Sequence, residues 1–180
     1  MTALLLTLSV LTYSPVEKFK TFLDTLQTAL ITFDETVLYY ETGMQRSFSG
    51  KAYYKKGKGL RLEFTSPDEQ VIILADTTYL VWNKRRNRVF RRKTDFKFPE
   101  NRREFDSRYT IQNTINRDTI VFTIQDRERY GKVEVGFSKR GFKPIYMTIY
   151  GDGSRSTYRF KIVKINSWVP DSKFDVEDVK

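Results

Sequence analysis

From residue 32 onward, apolar and polar positions alternate with a period of two. Leu60, Leu62 and Phe64 are interleaved with Arg61 and Glu63, the pattern of a strand with one oily and one wet face. The same alternation places Ile120, Phe122 and Ile124 on one side, as it does Val133, Val135 and Phe137, then Ile145, Met147 and Ile149, then Tyr158, Phe160 and Ile162. Leu80 and Trp82 are assigned to that inward side as well, and Arg61, Glu63, Lys132, Glu134, Arg159 and Lys161 to the outward one. Eleven segments read as strands: 32–40, 46–55, 59–65, 69–75, 78–83, 87–92, 107–114, 119–126, 131–138, 144–151 and 155–165. Turn chemistry separates them at Gly57-Lys-Gly59, Ser66-Pro67-Asp68, Asn116-Arg-Asp118, Gly141 and Gly151-Asp-Gly153. Strands so short and so tightly joined predict an antiparallel meander.

Ahead of the strands the period changes. Ser14-Pro15-Val16-Glu17 is a capping box with proline at the first helical position. Val16, Phe19, Leu23, Leu26 and Leu30 follow at spacings of three and four, which predicts an amphipathic helix over 15–30 with one apolar stripe. The fold expected is mostly β: one curved antiparallel sheet, oily inside and charged outside, with a single long helix against it. Such a sheet either closes on its own side chains or leaves a vacancy, and alternation does not choose between them.

Composition removes most catalytic readings. The chain has no cysteine and no histidine, which excludes disulfides, thiolate nucleophiles, Ser-His catalysis and His- or Cys-ligated metals. No enzyme activity, cofactor or metal site is expected. The length of 180 residues suits one domain. Aromatic residues at 15% favour strands, and a net charge of +10 attracts polyanions without choosing among them.

Residues 3–11, Ala-Leu-Leu-Leu-Thr-Leu-Ser-Val-Leu, form an apolar run too short to span a bilayer. Its length suits the core of a secretory signal, so residues 1–14 are read as a signal peptide and 15–180 as the mature domain.

Several stretches together resemble a known family. Gly50-Lys-Ala-Tyr-Tyr-Lys-Lys-Gly, Leu60-Arg-Leu-Glu-Phe-Thr-Ser-Pro-Asp-Glu-Gln, Leu74-Ala-Asp and Leu80-Val-Trp-Asn, in this order, resemble the periplasmic lipoprotein carrier family LolA. Tyr158-Arg-Phe160, Asn166 and Pro170-Asp-Ser-Lys-Phe174 resemble that family's closing strand and last segment, and the helix leading into Phe33 and Thr36-Val37 also fits. The resemblance implies an unclosed half-barrel of about eleven strands, its concave face covered by the amino-terminal helix. It implies a non-enzymatic carrier that binds lipoprotein acyl chains and moves them from the inner to the outer membrane. On that reading Leu60, Leu62, Phe64, Leu80, Trp82, Phe122, Phe137, Met147 and Phe160 line the acyl-chain cavity. Lys56 stands where the family has a gating arginine, and supplies charge and a donor without the planar two-pronged contact. The implied partners are acylated lipoproteins as cargo, an inner-membrane lipoprotein-releasing ABC transporter, and an outer-membrane receptor or anionic lipid surface. The carrier is expected to act as a monomer in the periplasm without binding nucleic acid. The family's receptor is anchored through a cysteine, which this chain lacks. Between residues 94 and 105, where the family has lid helices, the sequence leaves room for one polar helical turn at most.

Other chemistry is weaker. Lys84, Arg85, Arg86, Arg88, Arg91, Arg92 and Lys93 put seven cations in ten positions, either a solvated hairpin tip or a docking surface for anionic head groups or an acidic partner. Asp68-Glu69, Asp76 and Glu177-Asp178 read as turn caps and tail rather than paired catalytic carboxylates. Two other classes remain open: a half-barrel periplasmic regulator that senses lipid or protein, and a basic nucleic-acid-binding protein.

Overall fold

A computed structural model describes residues 14–75, 77–94, 101–128 and 131–176. Residues 1–13 of the expected signal peptide, Asp76 and the Glu177-Asp178 pair lie outside the described residues, and Ser14, its expected last residue, caps the first helix. Helix α1 (Pro15–Thr25) precedes five strands, β1 (Thr28–Tyr39), β2 (Gln45–Lys55), β3 (Gly59–Ser66), β4 (Gln70–Ala75) and β5 (Thr78–Asn83). Strand β6 (Arg88–Lys93) and helix α2 (Arg102–Arg108) follow. The second set comprises β7 (Tyr109–Ile115), β8 (Thr119–Asp126), β9 (Lys132–Ser138), β10 (Pro144–Tyr150) and β11 (Ser154–Ile165), ahead of a 3-10 turn at Asp171–Phe174.

All eleven strands form one antiparallel sheet in the order β6-β5-β4-β3-β2-β1-β11-β10-β9-β8-β7. Two meanders therefore meet where β1 pairs with β11, and β6 and β7 are left as edges, so the sheet does not close. The mostly β, unclosed half-barrel expected from the sequence is the fold observed, with its amino-terminal helix.

Ser14 caps α1, its Oγ accepting from the Glu17 amide at 3.2 Å. The helix is shorter than the 15–30 expected. Leu26 is already extended, and β1 begins at Thr28 opposite Lys55 of β2. The junction is held by Asn166, whose Oδ1 accepts from the Gln27 amide at 2.8 Å while its Nδ2 donates to the Thr25 carbonyl at 3.0 Å. Leu30 therefore belongs to a strand, because long-range pairing to β2 and β11 outweighs a helical spacing that continued by chance. Helix α2 also exceeds the single polar turn expected: seven residues, capped by Asn101, with Phe105 buried beneath it.

Register assigns the paired strand residues to a face, since directly opposed residues share one. Helix α1 lies on the concave face at the β7–β9 end, where Phe19 joins Phe105, Phe122 and Phe137 in a buried cluster. The chain after β11 lies on the convex face at the other end and forms a strap. Thr28 Oγ1 of β1 donates to the Ser167 carbonyl at 2.5 Å, and Lys55 of β2 reaches the Val169 carbonyl and the Asp171 carboxylate. Arg61 of β3 donates to the Lys173 carbonyl at 3.0 Å, and Val176 packs on a cluster of Val71, Ile73, Ala75 and Leu80 from β4 and β5.

Candidate functional site: the apolar concave face

The two apolar layers lie on opposite sides of the sheet, and this defines the site. At the β3–β5 end the fully buried residues face outward under the strap, with Val71 at 1%, Ile73 at 0% and Leu80 at 0% exposure. Their neighbours on the concave side are apolar as well but only half-buried: Leu60, Leu62, Ile72, Leu74, Tyr79 and Val81. Ordinary strands bury the inner face and wet the outer one. Here the strap provides the solid core, and the hollow side keeps accessible oily surface.

The register draws that surface as a continuous row. Val163 opposes Ile31, Ile31 opposes Ala52, Ala52 opposes Leu62, Leu62 opposes Ile72, Ile72 opposes Val81, and Val81 opposes Phe90. With strands about 4.8 Å apart, the row runs for roughly 29 Å of arc. One flanking row is Ala29, Tyr54, Leu60, Leu74 and Tyr79; the other begins Phe33, Gly50 and Phe64.

Gly50 matters for the second of these. A Cβ there would stand 2.4 Å from the Glu63 carbonyl oxygen and 3.0 Å from the Phe33 ring, so only glycine lets Phe33 and Phe64 meet across it, centroids 5.7 Å apart. Tyr158 joins Phe33 from the far side at 5.3 Å and Phe48 joins Phe64 at 6.0 Å, giving the hollow an aromatic margin.

Just beyond that margin the concave face holds one buried acid among the described residues. Glu35 is 6% exposed, opposite Phe48 and Tyr158. Burial pushes its carboxyl above the ordinary range, against hydrogen bonds from Tyr158 and Ser156 that pull the other way. Burial beside Glu35 likewise raises the Tyr158 phenol. The outer face behaves differently. Burial raises Glu63, but Lys173 and Arg61 more than offset it, so Glu63 stays below its ordinary value.

The predicted cavity residues divide three ways. Leu60, Leu62, Phe64, Met147 and Phe160 lie on the concave face, Phe64 buried and the others half-buried. Phe122 and Phe137 lie on the same face but are covered, at 0% and 1% exposure, by Phe19 and Phe22 of α1. Leu80 and Trp82 are not on this face. Leu80 opposes Ile73, which opposes Arg61, so both point outward beneath the strap. Alternation failed there because 71–75, Val-Ile-Ile-Leu-Ala, is apolar on both sides, the mark of a strand with an apolar layer on each face. Ile162 also turns outward, at 53% exposure, because a bulge between Thr32 and Phe33 shifts the β1–β11 register.

Lys56 stands beside α1. Its Nζ is 3.4 Å from the Asp24 carbonyl, near the helix carboxyl end, and its amide donates to the Gln27 carbonyl at 2.8 Å. A cation there complements the helix dipole. Asp24 also accepts from the Arg102 amide of α2 at 3.1 Å, Arg102 binds Glu17, and Lys20 pairs with Asp106 at 2.8 Å. The two helices thus form one charged unit over the phenylalanine cluster. The sequence missed Ile72, Leu74, Tyr79 and Val81, which only the strand register separates from their outward neighbours.

The site contains no nucleophile–base pair, and no group of three or more metal-ligating side chains occurs among the described residues. No helix there is long and apolar enough to cross a membrane. What the arrangement offers is a long, nearly uncharged groove.

Comparison with known proteins gives the same architecture. The fold is similar to a LolA superfamily protein from Nitrosomonas europaea, at 12% identity and a TM-score of 0.50, covering 92% of this chain and 100% of that one. It is similar to a DUF1329 family protein from Desulfovibrio piger at 12% identity and a TM-score of 0.54, covering 91% and 95%. Among curated proteins no sequence matches the chain. The sequence itself matches, over residues 24–177, the family described as outer membrane lipoprotein carrier protein LolA, and the chain therefore belongs to that family.

Proposed function

We propose that this protein is a periplasmic carrier that holds the acyl chains of lipoproteins against its concave face and moves them from the inner to the outer membrane. The observation that supports it most is the apolar row from Val163 to Phe90, half-buried along Ile31, Ala52, Leu62, Ile72 and Val81, while the opposite side of β4 and β5 is sealed at Val71, Ile73 and Leu80. Leu60, Leu62, Phe64, Met147 and Phe160 line the acyl site, joined by Ile72, Leu74, Tyr79 and Val81. Phe122 and Phe137 become available only when α1 lifts. Lys56 is the candidate gating contact, through the Asp24 carbonyl of that helix.

The energetics suit binding without catalysis. Each buried methylene contributes about 0.8 kcal/mol, so a chain of about sixteen carbons gives roughly 12 kcal/mol gross. Much of that is offset by ordering the chain and by whatever the groove gives up, which leaves binding reversible. An inner-membrane lipoprotein-releasing ABC transporter would load the carrier, and an outer-membrane receptor or lipid surface would unload it.

Native mass spectrometry of protein isolated from the periplasm tests the proposal. Acylated cargo or lipid at a stoichiometry near one supports it, and persistently empty protein contradicts it. A second polypeptide co-purifying at fixed ratio with no acyl cargo would favour the periplasmic regulator instead.

A further inference from the structure

The β5–β6 hairpin carries a feature that acyl-chain binding does not require. Seven of the ten residues from Lys84 to Lys93 are cations, and every side chain from Lys84 to Lys93 is exposed. Two of them are partly balanced at the base of the hairpin, Lys84 with Glu69 at 3.4 Å and Arg85 with Asp68 at 3.2 Å. Arg91 donates to the Val176 carbonyl and Arg92 lies over the Tyr79 ring at 4.8 Å, so both keep their full charge. Arg86, Arg88 and Lys93 have no carboxylate partner among the described residues.

Between these cations stand two large apolar side chains in the open, Val89 at 43% and Phe90 at 57% exposure. They point to opposite sides of an edge strand, so they form no pocket for a protein partner to fill. Phe90 has Arg88 and Arg92 as its neighbours on the same face, two residues to either side. An aromatic ring bracketed by guanidinium groups at an exposed edge matches a lipid interface, where the ring enters the head-group layer and the cations meet phosphates.

We infer that this hairpin docks the protein on an anionic phospholipid bilayer, with Phe90 entering the head-group region and Arg88 and Arg92 binding phosphate beside it. The inference does not depend on lipoprotein carriage. It does place the outer end of the apolar row, which terminates at Phe90, against the membrane surface.

Co-sedimentation with vesicles tests it. Vesicles of phosphatidylethanolamine and phosphatidylglycerol should pull down the full chain at low salt, and vesicles of phosphatidylcholine should not. Each cation near an anionic surface contributes about fivefold to partitioning, so Arg88→Gln with Arg92→Gln should lower it roughly 25-fold. Lys139→Gln with Arg140→Gln, exposed cations at a distant turn, should change it far less. Because the chain has no cysteine, Phe90→Cys accepts a single polarity-sensitive dye, whose emission should shift to the blue on vesicles containing phosphatidylglycerol. Absence of binding, equal losses from both pairs of substitutions, or binding without a dye shift would each overturn the inference. So would equal affinity for soluble polyglutamate, which would assign the hairpin to an acidic protein.

Discussion

The Phe19 ring of α1 stacks on the Phe122 ring of β8 with centroids 4.6 Å apart and planes 27° from parallel. Through this contact the amino-terminal helix fills one end of the concave face and leaves the aliphatic end open. Phe137 meets Phe19 edge-on at 5.6 Å and stacks on Phe142 at 4.6 Å, so the filled end is a packed aromatic core. The helix is a structural element that pairs with no strand, so lifting it would leave the sheet intact.

Phe19→Ala should therefore act on two properties at once. Removing a fully packed ring costs about 3 kcal/mol of stability, readable in a urea titration. If α1 is the movable cover, the same change should raise the affinity for a fluorescent acyl probe. A stability loss with no gain in affinity would make the helix a fixed part of the core.

Glutamate substitutions on opposite faces should separate binding from folding. Leu62→Glu places a charge in the half-buried row and should abolish acyl binding while circular dichroism remains that of the native protein. Leu80→Glu, at 0% exposure beneath the strap, should destabilise by several kcal/mol and unfold much of the population. Urea midpoints for the two variants check this directly.

The strap gives an acid-dependent signature. Lys173 Nζ lies 2.9 Å from Glu63 Oε1, and Arg61 Nε lies 2.7 Å from the same oxygen. With Glu63 held below its ordinary value of 4.5, its contribution is complete above that pH and disappears as the pH falls through the lower folded value. Lys173→Ala should cost about 1 kcal/mol at pH 7. The difference from wild type should shrink on acidification below pH 4.5, as followed by thermal melts.

Glu35 should behave in the opposite sense. Its folded pKa lies above 4.5 because it is buried, so its neutral form suits the fold and stability falls as the pH rises through that folded value. Glu35→Gln should raise the melting temperature by a few degrees at pH 8, and the two proteins should converge near pH 4. Melting curves across this range decide it.

The sequence made the half-barrel legible because turn residues punctuate nearly every strand and alternation is clean wherever one face is wet. Leu60, Leu62 and Phe64 were placed correctly for that reason: Arg61 and Glu63 stand between them. Leu80 and Trp82 were misplaced because β4 and β5 are apolar on both faces, and nothing local reveals that residues 166–176 return to cover the outside. Leu30 was drawn into the helix because its spacing matched, although Asn166, more than a hundred residues away, fixes the boundary. Phe105 was passed over because its neighbours are charged. Each miss concerns a contact between distant segments, which periodicity does not encode.

The central claim is that the aliphatic half of the concave face takes up acyl chains, and titration with a synthetic triacylated lipopeptide tests it most directly. The wild-type protein should bind one equivalent saturably, and Leu62→Glu and Ile72→Glu should each lose that binding while remaining folded. Failure of the wild type to saturate, or undiminished binding by both variants, would contradict the account.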